Sequence, residues 1–329
     1  MTGLLEQLIA IPSLSREEKA VADFLEDRLQ DLHPRRHGNN LWMVKGEGPV
    51  LLMDAHIDTV KPVAGWQRDP FTPTREEDRI YGLGANDDGG SVVSMIEAFR
   101  KAQSLKHTLV LSLSAEEEVS GQNGLESVLP LIEADAGPIR CGIMGEPTGG
   151  MQMAVSERGL MVLDCTARGV SGHAARGEGV NAIYEALPDI DWFRSHGMTV
   201  TQIQAGTQHN VIPDCCNFVV DVRTVGDNQT VLEAVLQAVR CEVKARSTRL
   251  NGSSIGTEHP LVQAAIALGI KRFSSPTLSN QAVCRFPTVK IGPGESSRSH
   301  TADEYICTGE LEAAADVYLK LISTYENLE

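Results

Sequence analysis

The stretch "VLLMDAHIDTV", residues 50–60, constrains this chain more than any other. Val50 to Met53 is short, apolar and unbroken, which marks a buried strand. Asp54, His56 and Asp58 then arrive at alternate positions, so their side chains share one face. Three ionisable groups at the mouth of a buried strand are costly unless something pairs them. A metal ion would do so. A polar strand end lying in solvent is the plainer reading of this fragment alone.

The arrangement recurs along the chain. "HTLVLSLSA" (107–115) runs into Glu116, Glu117 and Glu118, and "CGIMG" (141–145) into Glu146. "YGLGA" is followed by "NDDGG" with Asp87 and Asp88, and "FPTVKIGPG" (286–294) leads to His300. Open α/β sheets build their sites at the C-terminal ends of strands. Each cluster has a dull explanation, since adjacent glutamates are usually a solvated face and "DDGG" is usually a turn. Five clusters at strand ends, holding two histidines and three or more carboxylates, suit a pair of divalent ions of zinc type.

Helical periodicity separates these strands. Val21, Phe24, Leu25, Leu29 and Leu32 predict a helix over 15–32, with Ser15 and Glu18 as a capping box. Residues 91–102 predict another helix, and strands are expected near 40–45 and 50–56. Buried strands alternating with helices imply an α/β core. Between about 159 and 240 the pattern changes. "GLMVLDCTARGV", "MTVTQIQAG" and "NFVVDVRTV" read as strands with one exposed face, separated by helical stretches near 180–187 and 229–240. That describes a small α+β domain of roughly 90 residues. The first pattern then resumes, with a helix after Pro260 and a last one over 309–324. Residues 1–157 and 250–329 are therefore expected to form one domain, into which 158–249 is inserted.

Composition narrows the function. A formal net charge of −15 argues against nucleic acid or an anionic membrane as partner. The seven cysteines are scattered with no C-x-x-C pair, so reduced thiols in a cytoplasmic setting are expected. The start "MTGLLEQLIAIPSLSREE" carries acids early, which predicts no signal peptide, and no apolar run approaches a membrane span.

The run "HIDTVKPVAGWQRDPFTP" resembles the H-x-D…W…D-P-F signature of the aminoacylase, carboxypeptidase G and acetylornithine deacetylase family of zinc hydrolases. "GLGANDDGG", "SAEEEVSGQNG", "GEPT", "GVSGHAARGEGVNAI", "HNVIPDCCNFVVDVR" and "GPGESSRSHTADEYI" follow in the family's order, so the resemblance covers nearly the whole chain. It implies a zinc-peptidase-like domain with a mixed sheet flanked by helices, and a ferredoxin-like insertion acting as lid and dimerisation domain.

By resemblance His56 and Glu146 would bind one zinc, Glu118 and His300 the other, and Asp87 would bridge them. Asp58 would orient the His56 imidazole, and Glu117 would be the general base. His173 would stabilise the oxyanion from the inserted domain, across a homodimer interface. Asn210 and Arg223 would reach the substrate carboxylate, although the "D-x-R" of Arg223 also reads as a structural salt bridge. Gly292 and Gly294 would allow close backbone approach beside the substrate.

Departures from the family pattern fall near substrate recognition. "DDGG" stands for D-x-K-G, which adds Asp88 as a second candidate for the bridge, although spacing favours Asp87. Leu83 takes a basic position, and "SNQAVCR" replaces D-A-R. The branch most resembled is acetylornithine deacetylase-like, which implies an N-acetyl or N-succinyl amino acid substrate in arginine biosynthesis. A di- or aminopeptidase, a carrier-protein-linked lysine or ornithine hydrolase, and a non-catalytic metal-binding regulator are the alternatives. Zinc, cobalt and manganese all suit the donors.

Overall fold

A computed structural model describes residues 1–103 and 105–328 of the chain. Two compact units are present. One comprises Met1–Ser156, Ser254–Ser275 and Ser279–Glu329, and the other Glu157–Ser253 with Pro276–Leu278. The upper sequence limit expected for the first, residue 329, lies outside the described residues.

The first unit is built on a mixed sheet. Four strands at its centre, Thr108–Ser114, Val50–His56, Ile139–Met144 and Thr288–Lys290, lie side by side in that order and run parallel. Asn40–Lys45 and Met153–Glu157 flank them as antiparallel neighbours. Val50–His56 is buried at every position, its apolar run Val50–Met53 continuing into the buried polar residues Asp54 and His56. Its alternate residues serve two separate cores. Leu51 and Met53 pack with Val92, Ile96, Tyr318 and Leu321, whereas Val50 and Leu52 pack with Val128 and Ile132. The helices Gly89–Lys101 and Thr308–Tyr325 lie against each other on the first face. Because the central strands are parallel, their C-terminal ends reach one edge together, and the chain after each can contribute to one site.

The helix expected over 15–32 is shorter. It spans Lys19–Arg28, followed by a 3₁₀ turn at Gln30–Leu32. The Ser15–Glu18 capping box does not form, and Glu18 sits at the N-cap without a side-chain cap bond. Tertiary partners claim both side chains. The Ser15 hydroxyl donates to Asp58 Oδ2 at 2.7 Å, and Glu18 Oε1 accepts the Glu116 amide at 3.2 Å.

The second unit has a four-stranded antiparallel sheet in the order Thr199–Ala205, Cys215–Thr224, Gly159–Arg168, Glu242–Ala245. With the helices Ala182–Ser195 and Asn228–Ala238, the chain order is strand, helix, strand, strand, helix, strand. Gly159–Arg168 alternates strictly between buried and half-buried positions until its last residue, the period of a sheet with one covered face. Phe193, Phe218, Val220 and Val235 form its core. Among the described residues no helix is long and apolar enough to cross a membrane.

Candidate metal centre

His56 ends its strand fully buried, and its Nδ1–H donates to the Asp58 backbone carbonyl at 2.9 Å. That bond orients the ring so that Nε2, the nitrogen that would face a metal, lies 3.1 Å from Asp87 Oδ1. The sequence assigned the orienting role to the Asp58 carboxylate. Its Oδ1 lies further off, at 3.5 Å, and the carboxylate is occupied elsewhere. It accepts the amides of Glu117 at 3.0 Å and Glu118 at 3.1 Å, besides the Ser15 hydroxyl. Asp58 therefore holds the His56 imidazole by its carbonyl and the Glu117–Glu118 loop by its side chain.

Glu117 and Glu118 follow the strand Thr108–Ser114 and face different partners. Glu118 Oε2 lies 2.9 Å from His300 Nε2, which is also 3.7 Å from Asp87 Oδ2. Glu117 lies with His56 and Glu146 instead. The possible ligand atoms of His56, Asp87 and Glu118 fall within 4.8 Å of one another, and so do those of His56, Glu117 and Glu146. All five expected ligands and Glu117 thus converge at the strand ends. Asp87 rather than Asp88 stands with His56. The Asp88 carboxylate is buried, and neither oxygen has a hydrogen-bond partner.

The electrostatics describe a site short of positive charge. Burial, followed by repulsion from neighbouring carboxylates, pushes Glu117 and Glu146 well above the usual carboxyl range. Glu118 is raised chiefly by burial. Burial opposes protonation of His56, but Asp58 and Asp87 outweigh it and hold the imidazole well above its ordinary value. Hydrogen bonding to Glu118 lifts His300 to about 9. Two imidazoles and four carboxylates within reach of one another form a nitrogen–oxygen donor set that fits divalent cations of zinc, cobalt or manganese type.

Gly292 and Gly294 serve this centre through packing. A Cβ on Gly292 would lie 2.4 Å from the Glu146 carbonyl oxygen, and one on Gly294 2.1 Å from Asn86 Oδ1. Gly294 also has φ of 78°, which disfavours any side chain. Sequence reasoning missed Glu304, whose buried carboxylate accepts amides of the Asp87 loop. Its signal was an acid in the "HTADEYI" run.

The remaining expected residues lie in the second unit. His173 and Asn210 are brought together there. Gly172–His173 pairs with Val211–Ile212, and the Ala174 amide donates to the Asn210 carbonyl at 3.0 Å. Both side chains belong to exposed residues. Arg223 is paired with Asp221, its Nε donating at 2.9 Å, which is the structural salt bridge of the two readings left open.

Comparison with known proteins agrees with this picture. A succinyl-diaminopimelate desuccinylase of Xylella fastidiosa (strain 9a5c) is 27% identical, over 96% of this chain and 96% of that protein. An acetylornithine deacetylase of Erwinia tasmaniensis is also 27% identical, over 96% of this chain and 95% of its own length. Among solved structures, aminopeptidase PepT from Bacillus cereus superposes with a TM-score of 0.80 at 19% identity, covering 98% of this chain and 97% of that one. A dinuclear metal binding peptidase of Bacillus subtilis gives 0.77 at 18%, covering 99% and 97%. These two show the shared fold. The profile of peptidase family M20/M25/M40 matches residues 52–324, and the chain belongs to that family.

Proposed function

We propose that this M20-family hydrolase is a di-metal deacylase. It removes an acetyl or succinyl group from the amine of an amino acid, N-acetylornithine or a close relative. Similarity to a deacetylase and a desuccinylase over nearly full length supports the reaction class. The observation that carries it is the division of labour between adjacent glutamates. Glu118 is paired with His300, while Glu117 stands apart with His56 and Glu146.

His56 and Glu146 would hold one ion, Glu118 and His300 the other, with Asp87 between them. Bound divalent ions polarise the scissile carbonyl and make water more acidic. Glu117 takes a proton from the attacking water and passes it to the amine nitrogen as the C–N bond breaks. Burial raises its proton affinity, which suits a group that must both accept and return that proton. His173 donates to the developing oxyanion, and Asn210 binds the substrate carboxylate, with Arg223 as a weaker candidate. The chain acts as a cytoplasmic homodimer formed through the inserted unit. In support, Tyr184 and Leu187 on one helix are 68% and 50% exposed, and Ile203 on the edge strand Thr199–Ala205 is 58% exposed.

A hydrolysis panel tests the reading, with N-acetylornithine, N-acetylcitrulline, N-succinylornithine, N-succinyl-diaminopimelate and simple dipeptides, each with and without added zinc. Metal-dependent release of acetate or succinate is expected. Turnover of dipeptides alone would replace the deacylase with a peptidase. Metal binding without turnover of any substrate would favour a regulatory protein.

A further inference from the structure

Glu304 is an acidic residue only 2% exposed, burial pushes its carboxyl up to about 8, and no cation is hydrogen-bonded to it among the described residues. It precedes the strand Tyr305–Cys307, which pairs antiparallel with Arg79–Tyr81. That register sets Glu304 beside the chain emerging from Tyr81. Its backbone carbonyl accepts the Gly82 amide at 3.0 Å. Its Oε2 accepts the Gly84 amide at 3.2 Å, and its Oε1 those of Asn86 and Asp87 at 2.8 and 2.9 Å. One residue thus takes four amides from the six-residue stretch that ends in Asp87. The Asn86 side chain ties the same loop to the segment before His300. Its Nδ2 donates to the Glu295 carbonyl at 3.1 Å and to Ser299 Oγ at 3.2 Å.

The two carboxyl oxygens accept three amides between them, a set of bonds that only an acceptor-rich side chain can receive. Burying an acidic side chain is costly unless its hydrogen bonds are made, so its retention here calls for a reason beyond packing. We infer that Glu304 is a positioning residue, one that fixes the Asp87 backbone so that its carboxylate stands between the two metal positions before any ion arrives. The inference rests on the di-metal reading above. Asp58 offers the parallel within the same centre, because its carboxylate receives the amides of the other ligand-bearing loop, Glu117 and Glu118.

Glu304→Gln tests it. The amide keeps the size but carries one acceptor and an N–H₂ group, which would face a backbone N–H. Cobalt titration followed by calorimetry should show parent-like binding of the first ion. The second should bind about 10–100-fold more weakly, the usual consequence of losing an outer partner of a ligand. In electron paramagnetic resonance the parent's two Co(II) ions should be magnetically coupled through Asp87, and the variant's coupling should be reduced. Glu304→Asp, which keeps the carboxyl group on a shorter stem, should fall between the two. Parent-like affinity and coupling in Glu304→Gln would overturn the inference while leaving the di-metal reading intact. A parent protein that binds no ion pair would overturn both. Should Glu304→Gln not fold, hydrogen exchange in the unmodified metal-free protein decides. The amides of Gly84, Asn86 and Asp87 should be strongly protected, and rapid exchange would show that the loop is not held in advance.

Discussion

At the scale of single residues, the two glutamates after Glu116 make the sharpest distinction. Glu117→Gln should retain both ions and lose activity by about 10²–10⁴-fold, the usual worth of a general base. Glu118→Gln should also release metal, because it removes the carboxylate facing His300. Elemental analysis beside kcat checks both, and the opposite pattern would exchange their roles. His173→Ala should lower kcat by a few hundred-fold, since one oxyanion donor is worth about 3–4 kcal/mol. Its metal content and melting temperature should not change. If His173 serves the partner's site, mixed dimers of Glu117→Gln and His173→Ala chains should regain activity once mass spectrometry confirms subunit exchange. The residues that meet at the strand ends stood out through local motifs, H-x-D, E-E and a lone His after a glycine-rich turn, while the roles expected of them came from the resemblance alone. Those that hold them were not. Ser15, Glu18 and Glu304 owe their roles to partners 43, 98 and up to 220 positions away. No window of sequence shows that Ser15 meets Asp58 instead of capping its own helix.

At the scale of elements, the buried strands were read nearly to the residue. An unbroken apolar run such as Val50–Met53 has few other uses. Helices with mixed signals escaped. Leu125–Ala136 contains Pro130, which sequence reading takes as a breaker, and Thr2–Ile9 is too short for its periodicity to declare itself. The three strands Thr74–Glu76, Arg79–Tyr81 and Tyr305–Cys307 are short, and one comes from a distant part of the chain. In the second unit Asn228 acts as an internal fastener. Its Nδ2 donates to the Leu160, Thr248 and Leu250 carbonyls at 3.2, 3.3 and 2.8 Å, and its Oδ1 accepts from the Thr224 hydroxyl. Asn228→Ala would remove four hydrogen bonds from one fully buried side chain, at a cost of about 2–4 kcal/mol. Urea unfolding should register that loss while the affinity for metal, held in the other unit, stays the same.

At the scale of the whole molecule, the proposed ligands come from positions 56, 87, 118, 146 and 300, so removing metal should affect the chain far beyond the site. In the metal-free protein Glu117, Glu118 and Glu146 have raised proton affinities, as do His56 and His300. Groups whose folded-state values are raised stabilise at low pH, and that contribution is lost as pH climbs through the folded value. Metal-free protein should therefore melt lower at about pH 8.5 than at about pH 6. Zinc should restore the loss and release protons on binding, because ligands must be deprotonated. Scanning calorimetry and binding heats in buffers of different ionisation enthalpy check both, and a melting temperature indifferent to zinc would count against a shared metal centre.

The point where the chain leaves the core and the point where it returns have a consequence of their own. Met153–Glu157 and Ser253–Ser254 are neighbours in one sheet, and the Ile255 amide donates to the Val155 carbonyl at 3.0 Å. A detour whose two ends already touch can be lengthened, shortened or swapped without disturbing the register of the strands beneath it. Exchange of what lies between should therefore leave the donors of the first unit where they are. A chain in which a short glycine-serine link replaces residues 158–252 should still fold and bind metal. If it cannot, the two parts have become mutually dependent and the exchange is no longer open to this lineage.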